Sequence, residues 1–376
     1  MKHSHARLIH STALESHHYP AQCPFSSQRA RMAVETMRSL GLITDREVTA
    51  PASRGSTFVE RFHTAEYIDI LKTAESGHFE PDMFAYGLGT PETPVFKGMV
   101  DYATLAASAS LTGAELMVEK QTGIAFNPSG GYHHAEPERA SGFCYINDAG
   151  LACEYLARHA DRVMYIDIDV HHGDGVQNFF YNRRDVMTVS LHETGKEIFP
   201  GTGFENEIGT GDGTGYSVNL PLPRGTFDRA YIRAFTDVVE PLLRAYDPQY
   251  IVMEMGMDCL SGDPLAHLEL TNNAYADVLE RVIQFAKPML VVGGGGYNPE
   301  NTARGWALAW SVMSGRDNTE DIHAGMGGIM LENTEWQGGL RDRRTVVDNQ
   351  TAQNVSRKIN KSVEKIKANV FHCHGI

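Results

Sequence analysis

The chain has 376 residues, 42% hydrophobic and 21% charged, with a formal net charge of -14. The hydrophobic content builds a large core and excludes disorder, while the negative charge argues against direct nucleic-acid binding and is compatible with a cationic substrate or partner. No stretch reaches the ~18 apolar residues of a membrane span, and Met1 to His5 lead into no apolar signal region. Helical periodicity covers about 26–40, 101–119 and 148–159, after which the apolar runs Met164 to Ile168 and Val186 to Leu191 read as strands. A helix at about 227–245, a strand at Tyr250 to Met255, a helix at about 271–287, a strand at Met289 to Val292 and a helix at about 301–314 follow. Gly201 to Gly215 and Gly293 to Gly296 come just after strands and read as loops. A polar, Lys-rich helical pattern at about 351–370 opens a C-terminal tail, 351–376, expected to pack on the outside. This alternation predicts a single α/β domain over 1–376, a three-layer α/β/α arrangement around a mostly parallel central sheet. Five cysteines, Cys23, Cys144, Cys153, Cys259 and Cys373, are odd in number and lack CxxC spacing, as expected of reduced thiols in the cytoplasm.

The chemistry concentrates where the first of the apolar strands ends, in Tyr165-Ile-Asp-Ile-Asp-Val-His-His-Gly-Asp-Gly175. Unpaired charge at a buried strand end is costly, so Asp167, Asp169, His171 and Asp174 require partners. Asp169 and His171 are two apart, which on an extended segment turns them to one side together with Asp167, as one ion would need. Ser129-Gly-Gly-Tyr-His-His134 adds adjacent imidazoles; such a pair is more often structural alone, but a nearby carboxylate fixes a tautomer and makes a proton-transfer residue. Asp258, after the strand Tyr250 to Met255, is a helix cap or a third ligand. In Gly293-Gly-Gly-Gly-Tyr-Asn298 the glycines form a simple turn, or they let the backbone approach a ligand while Tyr297 aims a hydroxyl at an oxyanion. Phe143 and Phe199, each in a glycine-containing loop, are core residues or the two sides of a slot for an alkyl chain.

Taken together and in this order, these motifs resemble the zinc-dependent histone deacetylase family, its class I-like branch and the bacterial acetoin utilisation deacetylases, from about His63 to Arg304. The resemblance implies the arginase/deacetylase-like fold and a metal-dependent amidohydrolase that removes acetyl or other acyl groups from the lysine N-ε of proteins. It makes Asp169, His171 and Asp258 the zinc ligands, with open positions for water and substrate carbonyl; two carboxylates and one imidazole suit ferrous iron as well. His134 becomes the general base and acid, His133 its electrostatic neighbour, Asp167 the carboxylate partner of His133, Asp174 that of His134, and Tyr297 the oxyanion donor. Potassium would bind near the metal through Asp167, Asp169, His171, Ser190 and Leu191, and at a second place through Phe180, Arg183, Val186 and Tyr216. The substrate would meet Glu92, Tyr132, Gly142, Phe143, Phe199, Leu265, Gly295 and Gly296, with Arg29 lining an internal cavity.

The chain also departs from the family pattern. Tyr132 stands where a Trp is common, implying a smaller and more polar rim, and Glu254 replaces a neutral polar side chain, adding a carboxylate near the metal. An acetylated polyamine or other small amine is an alternative substrate, although apolar Leu265 stands where such enzymes carry an acidic gatekeeper. An arginase-like ureohydrolase would need more aspartates around its metals than Asp169 and Asp258 offer. A noncatalytic acetyl-lysine binder is disfavoured because every catalytic position is filled. The expected partner is an acetylated protein or peptide, with neither nucleic acid nor membrane, and self-association is left open.

Overall fold

The computed structural model describes residues 6–317, 340–343 and 345–376; the Met1 to His5 run lies outside them. The strands are β1 (Ala6–Ile9), β2 (Val48–Thr49), β3 (Ile124–Asn127), β4 (Val163–Asp167), β5 (Val186–Glu193), β6 (Ser217–Leu222), β7 (Tyr250–Glu254) and β8 (Met289–Val292). They form one sheet in the order β2-β1-β3-β8-β7-β4-β5-β6, and every pairing is parallel. The helices are α1 (Gln28–Ser39), α2 (Ala65–Glu75), α3 (Met99–Val118), α4 (Asp148–Ala157), α5 (Asp174–Phe180), α6 (Asp228–Tyr246), α7 (Asn272–Ile283), α8 (Pro299–Met313) and α9 (Asn349–Val370).

Two cores sandwich the sheet, which explains why β4 is buried along its whole length. Val163 and Tyr165 face one core, with residues of α2, α3 and α4, while Met164 and Ile166 face the other, with residues of α1, α6, α7, α8 and α9. Parallel strands joined by crossovers bring the loops after β4, β7 and β8 to one end of the sheet, where α/β proteins build their sites. Among the described residues, no helix is long and apolar enough to cross a membrane.

Several elements were not legible from periodicity. β2 has two residues, β1 carries Arg7, and β6 contains Pro221, which removes a ladder donor and is tolerated because β6 is an edge strand. α5 begins at Asp174, inside the motif that reads as an extended strand end.

The C-terminal helix α9 covers that edge, packing on β6 and α6. Ile359, Val363, Ile366 and Val370 recur at helical spacing and are buried, while Ser362 donates to Glu205 Oε1 at 2.7 Å. Ile366→Ala should therefore cost about 2–5 kcal/mol in denaturant unfolding, the scale for truncating a buried aliphatic side chain. A loss below about 0.5 kcal/mol, typical of surface positions, would mean that α9 contributes no core.

Candidate active site

β4 ends at Asp167, so Asp169 and His171 lie in the turn beyond it rather than on a pleated face. Side chain to backbone bonds bring them together instead. Asp167 Oδ1 accepts from the Asp169 N–H at 3.0 Å and Asp169 Oδ1 from the His171 N–H at 2.8 Å, each Asp turning the chain two residues on. Asp258 enters from the turn after β7: its Oδ1 accepts from the Val170 N–H at 2.9 Å and its Oδ2 lies 3.1 Å from His171 Nδ1. One donor atom each from Asp169, His171 and Asp258 lies within 4.8 Å of the others, and all three residues are buried. The tetraglycine turn closes over them. The Gly295 N–H donates to Asp169 Oδ2 at 2.6 Å, and a Cβ there would sit 1.9 Å from Asp258 Oδ2, so no larger residue fits.

The donor set calls for a cation. Burial, then the Asp169 carboxylate, pushes Asp258 up to about 7. Burial opposes charge on His171, yet hydrogen bonds to Asp169 and Asp258 hold it up at about 10. Two buried carboxylates thus compete for positive charge around one imidazole, and three such ligands suit a divalent metal with a coordination position left open. A second trio, His133, Asp169 and Glu254, also lies within ligand distance. Both His133 nitrogens are already engaged, however, Nδ1 with Asp167 Oδ2 at 2.9 Å and Nε2 with His134 Nε2 at 3.0 Å.

Those contacts set the proton inventory of the tandem histidines. Burial works against a charge on His133, but the Asp167, Asp169 and Glu254 carboxylates outweigh it and raise its pKa well above the ordinary histidine value. Burial, then the charges of His133 and His171, holds His134 well below that value. A protonated His133 donates from Nε2, which leaves His134 neutral, with Nε2 the acceptor and the Nδ1–H donating to Asp174 Oδ1 at 2.7 Å. Three residues not singled out in the sequence support this pair. Asn147 donates to the carbonyls of His133 and Ala135 at 3.2 and 2.8 Å. Asp148 accepts from the Gly131 and Tyr132 N–H groups at 2.9 and 2.7 Å. The Tyr165 hydroxyl donates to Asp167 Oδ2 at 2.8 Å. The Asn147-Asp148 start of α4 is a capping signal whose long-range partners no local pattern discloses.

Tyr297 is held through its backbone: its N–H donates to Asp263 Oδ2 at 2.7 Å, while Asp263 Oδ1 accepts from the Leu265 N–H at 2.9 Å. Burial, then Asp258 and Asp169, keeps its pKa well above the ordinary tyrosine value, so the hydroxyl is a donor. Its ring lies 5.6 Å from Phe143 and 6.1 Å from His171. The Phe199 ring lies 4.9 Å from His134. Gly142 adopts φ +50, and a Cβ would meet His134 at 2.4 Å and Phe199 at 2.9 Å. Phe199 and Leu265 are both 36% exposed. Glu92 is exposed and lines a groove beside Phe199.

One expected substrate contact requires correction. Tyr132 is not at a rim: it is 2% exposed, packs against Phe25 and donates its hydroxyl to Tyr102 at 2.9 Å. Gly295 directs its N–H to Asp169, and Gly296 gives its carbonyl to Arg29 Nη1 at 2.8 Å. Arg29 also donates to the Gly294 carbonyl at 2.9 Å, clamping the turn from behind.

Glu254 enters the site because the β4–β7 register sets it beside Asp167. It is fully buried and its Oε1 has no hydrogen-bond partner. Burial raises its pKa well above the ordinary carboxylate value, His133 opposing and Asp167 adding to the rise. Asp167 also pairs in register with Ser190, which sets Ser190 and Leu191, in the middle of β5, beside the carboxyl end of β4 that leads to Asp169 and His171. Phe180, Arg183, Val186 and Tyr216 lie toward the other end of β5 and β6, where the Phe180 and Tyr216 carbonyls accept from Arg183 and Thr188 N–H groups at 2.9 Å each. The Arg183 guanidinium is occupied by Glu154 and Asp185, both at 2.6 Å, which leaves its backbone for any ion.

Residues 23–313 match the histone deacetylase domain family. The chain is 39% identical over 297 residues to histone deacetylase 8 of Xenopus tropicalis, covering 78% of this chain and 80% of that protein. It is 36% identical over 323 residues to the acetoin utilization protein AcuC of Bacillus subtilis (strain 168), covering 84% of each. Among solved structures, an HDAC homolog complexed with SAHA matches with a TM-score of 0.86 at 30% identity, over 96% of this chain and 99% of the other. The HDAC homolog from Aquifex aeolicus matches with a TM-score of 0.84, also at 30% identity and over the same shares of the two chains.

Proposed function

This chain belongs to the histone deacetylase family and is a hydrolase that deacetylates amide bonds, and on that premise we propose that its substrate is the N-ε-acyl-lysine of a polypeptide. The observation that carries this reading is the gathering of Gly142, Phe143 and Phe199 around His134, Tyr297 and His171 of the Asp169, His171, Asp258 trio, with exposed Leu265 tied to Tyr297 through Asp263. Apolar walls suit the methylenes of a lysine side chain, which would carry its amide to the polar groups. A zinc or ferrous ion held by Asp169, His171 and Asp258 would supply Lewis acidity toward the amide carbonyl and acidify a water molecule.

The remaining steps belong to the protein's own groups. Neutral His134, steadied through Nδ1 by Asp174, exchanges its Nε2 contact with His133 for the attacking water and takes the proton of that water at Nε2. His133 stays charged beside it and contributes electrostatically. The Tyr297 hydroxyl donates to the developing oxyanion, and the Gly142 carbonyl accepts the substrate N–H. His134 then returns its proton to the leaving amine as the C–N bond breaks, giving a carboxylate product and free lysine. Potassium bound at the two backbone-rich places would stiffen the loop ends. Five unpaired cysteines suit a reducing cytoplasm.

A fluorogenic acetyl-lysine peptide should be cleaved, the activity should disappear with a metal chelator, and added zinc should restore it. Acetylated polyamines should be slower, because Leu265 presents no anion to their ammonium groups. Absence of chelator-sensitive lysine release would overturn the reading, and faster turnover of the polyamines would move the substrate to that class.

A further inference from the structure

We propose that Arg139 selects acyl-lysines flanked by an acidic residue, an inference that rests on the polypeptide reading above. A groove of about 330 Å³ has Phe199 in its wall; Glu92, Arg139 and Ser141 are among its other lining residues. Because Ser141 directly precedes Gly142 and the Phe199 ring lies 4.9 Å from His134, the groove adjoins the candidate site, and a chain whose lysine reached that site would have its neighbouring residues in the groove. Arg139 is the one cation among the described lining residues and Glu92 the one anion.

The arginine is presented by a fixed base with a free arm. Its backbone is closed in a two-residue bridge, Glu136 N–H to Arg139 carbonyl at 2.9 Å and Arg139 N–H to Glu136 carbonyl at 3.3 Å, and the Ala140 N–H donates to the Tyr86 carbonyl at 2.9 Å. Its exposed side chain makes no ion pair within 4.0 Å with a described residue, Glu92 and its neighbour Glu138 included. A guanidinium offers a planar fork that fits a carboxylate in bidentate fashion. The net charge of the protein, -14, favours cations at long range. Screening limits that field beyond about 8 Å at physiological salt, so a direct contact with Arg139 decides the flanking preference. The same contact would repel the ammonium tail of a polyamine.

The test is a set of acetyl-lysine peptides carrying Asp, Ala or Lys at either neighbouring position, assayed with the wild-type chain, Arg139→Gln and Arg139→Glu. At one of these positions the wild type should prefer Asp over Lys by up to about fivefold in kcat/KM, the scale of an exposed ion pair, with the difference carried by KM and reduced by salt. The ratio should approach one in Arg139→Gln and invert in Arg139→Glu. Because each ratio is internal to one protein, a partly unfolded variant leaves it unchanged. An identical ranking in all three proteins, or no wild-type preference at either position, overturns the role of Arg139 while peptide turnover stands. Failure of the wild type to cleave any peptide overturns the substrate reading and this inference with it.

Discussion

Asp258→Asn should empty the metal site: bound zinc, measured by elemental analysis after dialysis, falls from about one per chain to near none, and peptide turnover falls at least about a hundredfold. The scale is a lower bound, since loss of an outer partner of a metal ligand already costs about 10- to 100-fold. Asparagine isolates the charge because it keeps the shape. Its Oδ1 can still accept from the Val170 N–H, now at 2.9 Å from the carboxylate, so the turn after β4 keeps its anchor. What changes is the oxygen 3.1 Å from His171 Nδ1, which becomes an N–H donor aimed at the metal position or loses its charge on flipping. Asp169 and His171 then remain as two ligands where three are needed. Folding should persist, with far-ultraviolet circular dichroism like that of the chelated wild type. Stoichiometric zinc in Asp258→Asn would remove Asp258 from the ligand set.

The composition of this site was more legible than its geometry. Asp169, His171, Asp258 and Tyr297 stand out because charged or hydroxylic residues at the ends of apolar runs are costly to bury unless a partner or ligand satisfies them. The spacing of Asp169 and His171 gave the right neighbours through a different device, since two Asp-to-backbone bonds rather than strand pleating align them. Register was beyond local patterns: Glu254 meets Asp167 only because β7 lies parallel beside β4 in one alignment. Tyr132 shows the reverse problem. A position next to the tandem histidines reads as exposed, yet Asp148 takes its backbone N–H and its ring turns inward onto Tyr102. In the fold, long amphipathic helices such as α6 announce themselves, whereas β1 and β3 are as short as β8 but carry Arg7 and Asn127 where β8 is wholly apolar.

Tyr297→Phe should lower kcat and kcat/KM together by about 10² to 10³, the effect of removing one oxyanion donor, while KM and bound metal stay near wild type. The ring of phenylalanine retains the packing against Phe143, and the backbone N–H that holds this residue to Asp263 is untouched. Only the hydroxyl is lost, and it is not among the metal-capable trio. Burial and the nearby carboxylates keep that hydroxyl protonated far into alkaline pH, so its loss should scale the pH–rate profile down without moving its limbs. Those limbs should follow His134 and the ionisation of the attacking water, neither of which Tyr297 touches. Steady-state kinetics from pH 6 to 9 with metal analysis of the same samples decides the matter. A raised KM at unchanged kcat would make Tyr297 a ground-state binding group, because equal stabilisation of substrate and transition state cannot alter the chemical step. A metal deficit would give it a structural part in the ligand cage instead.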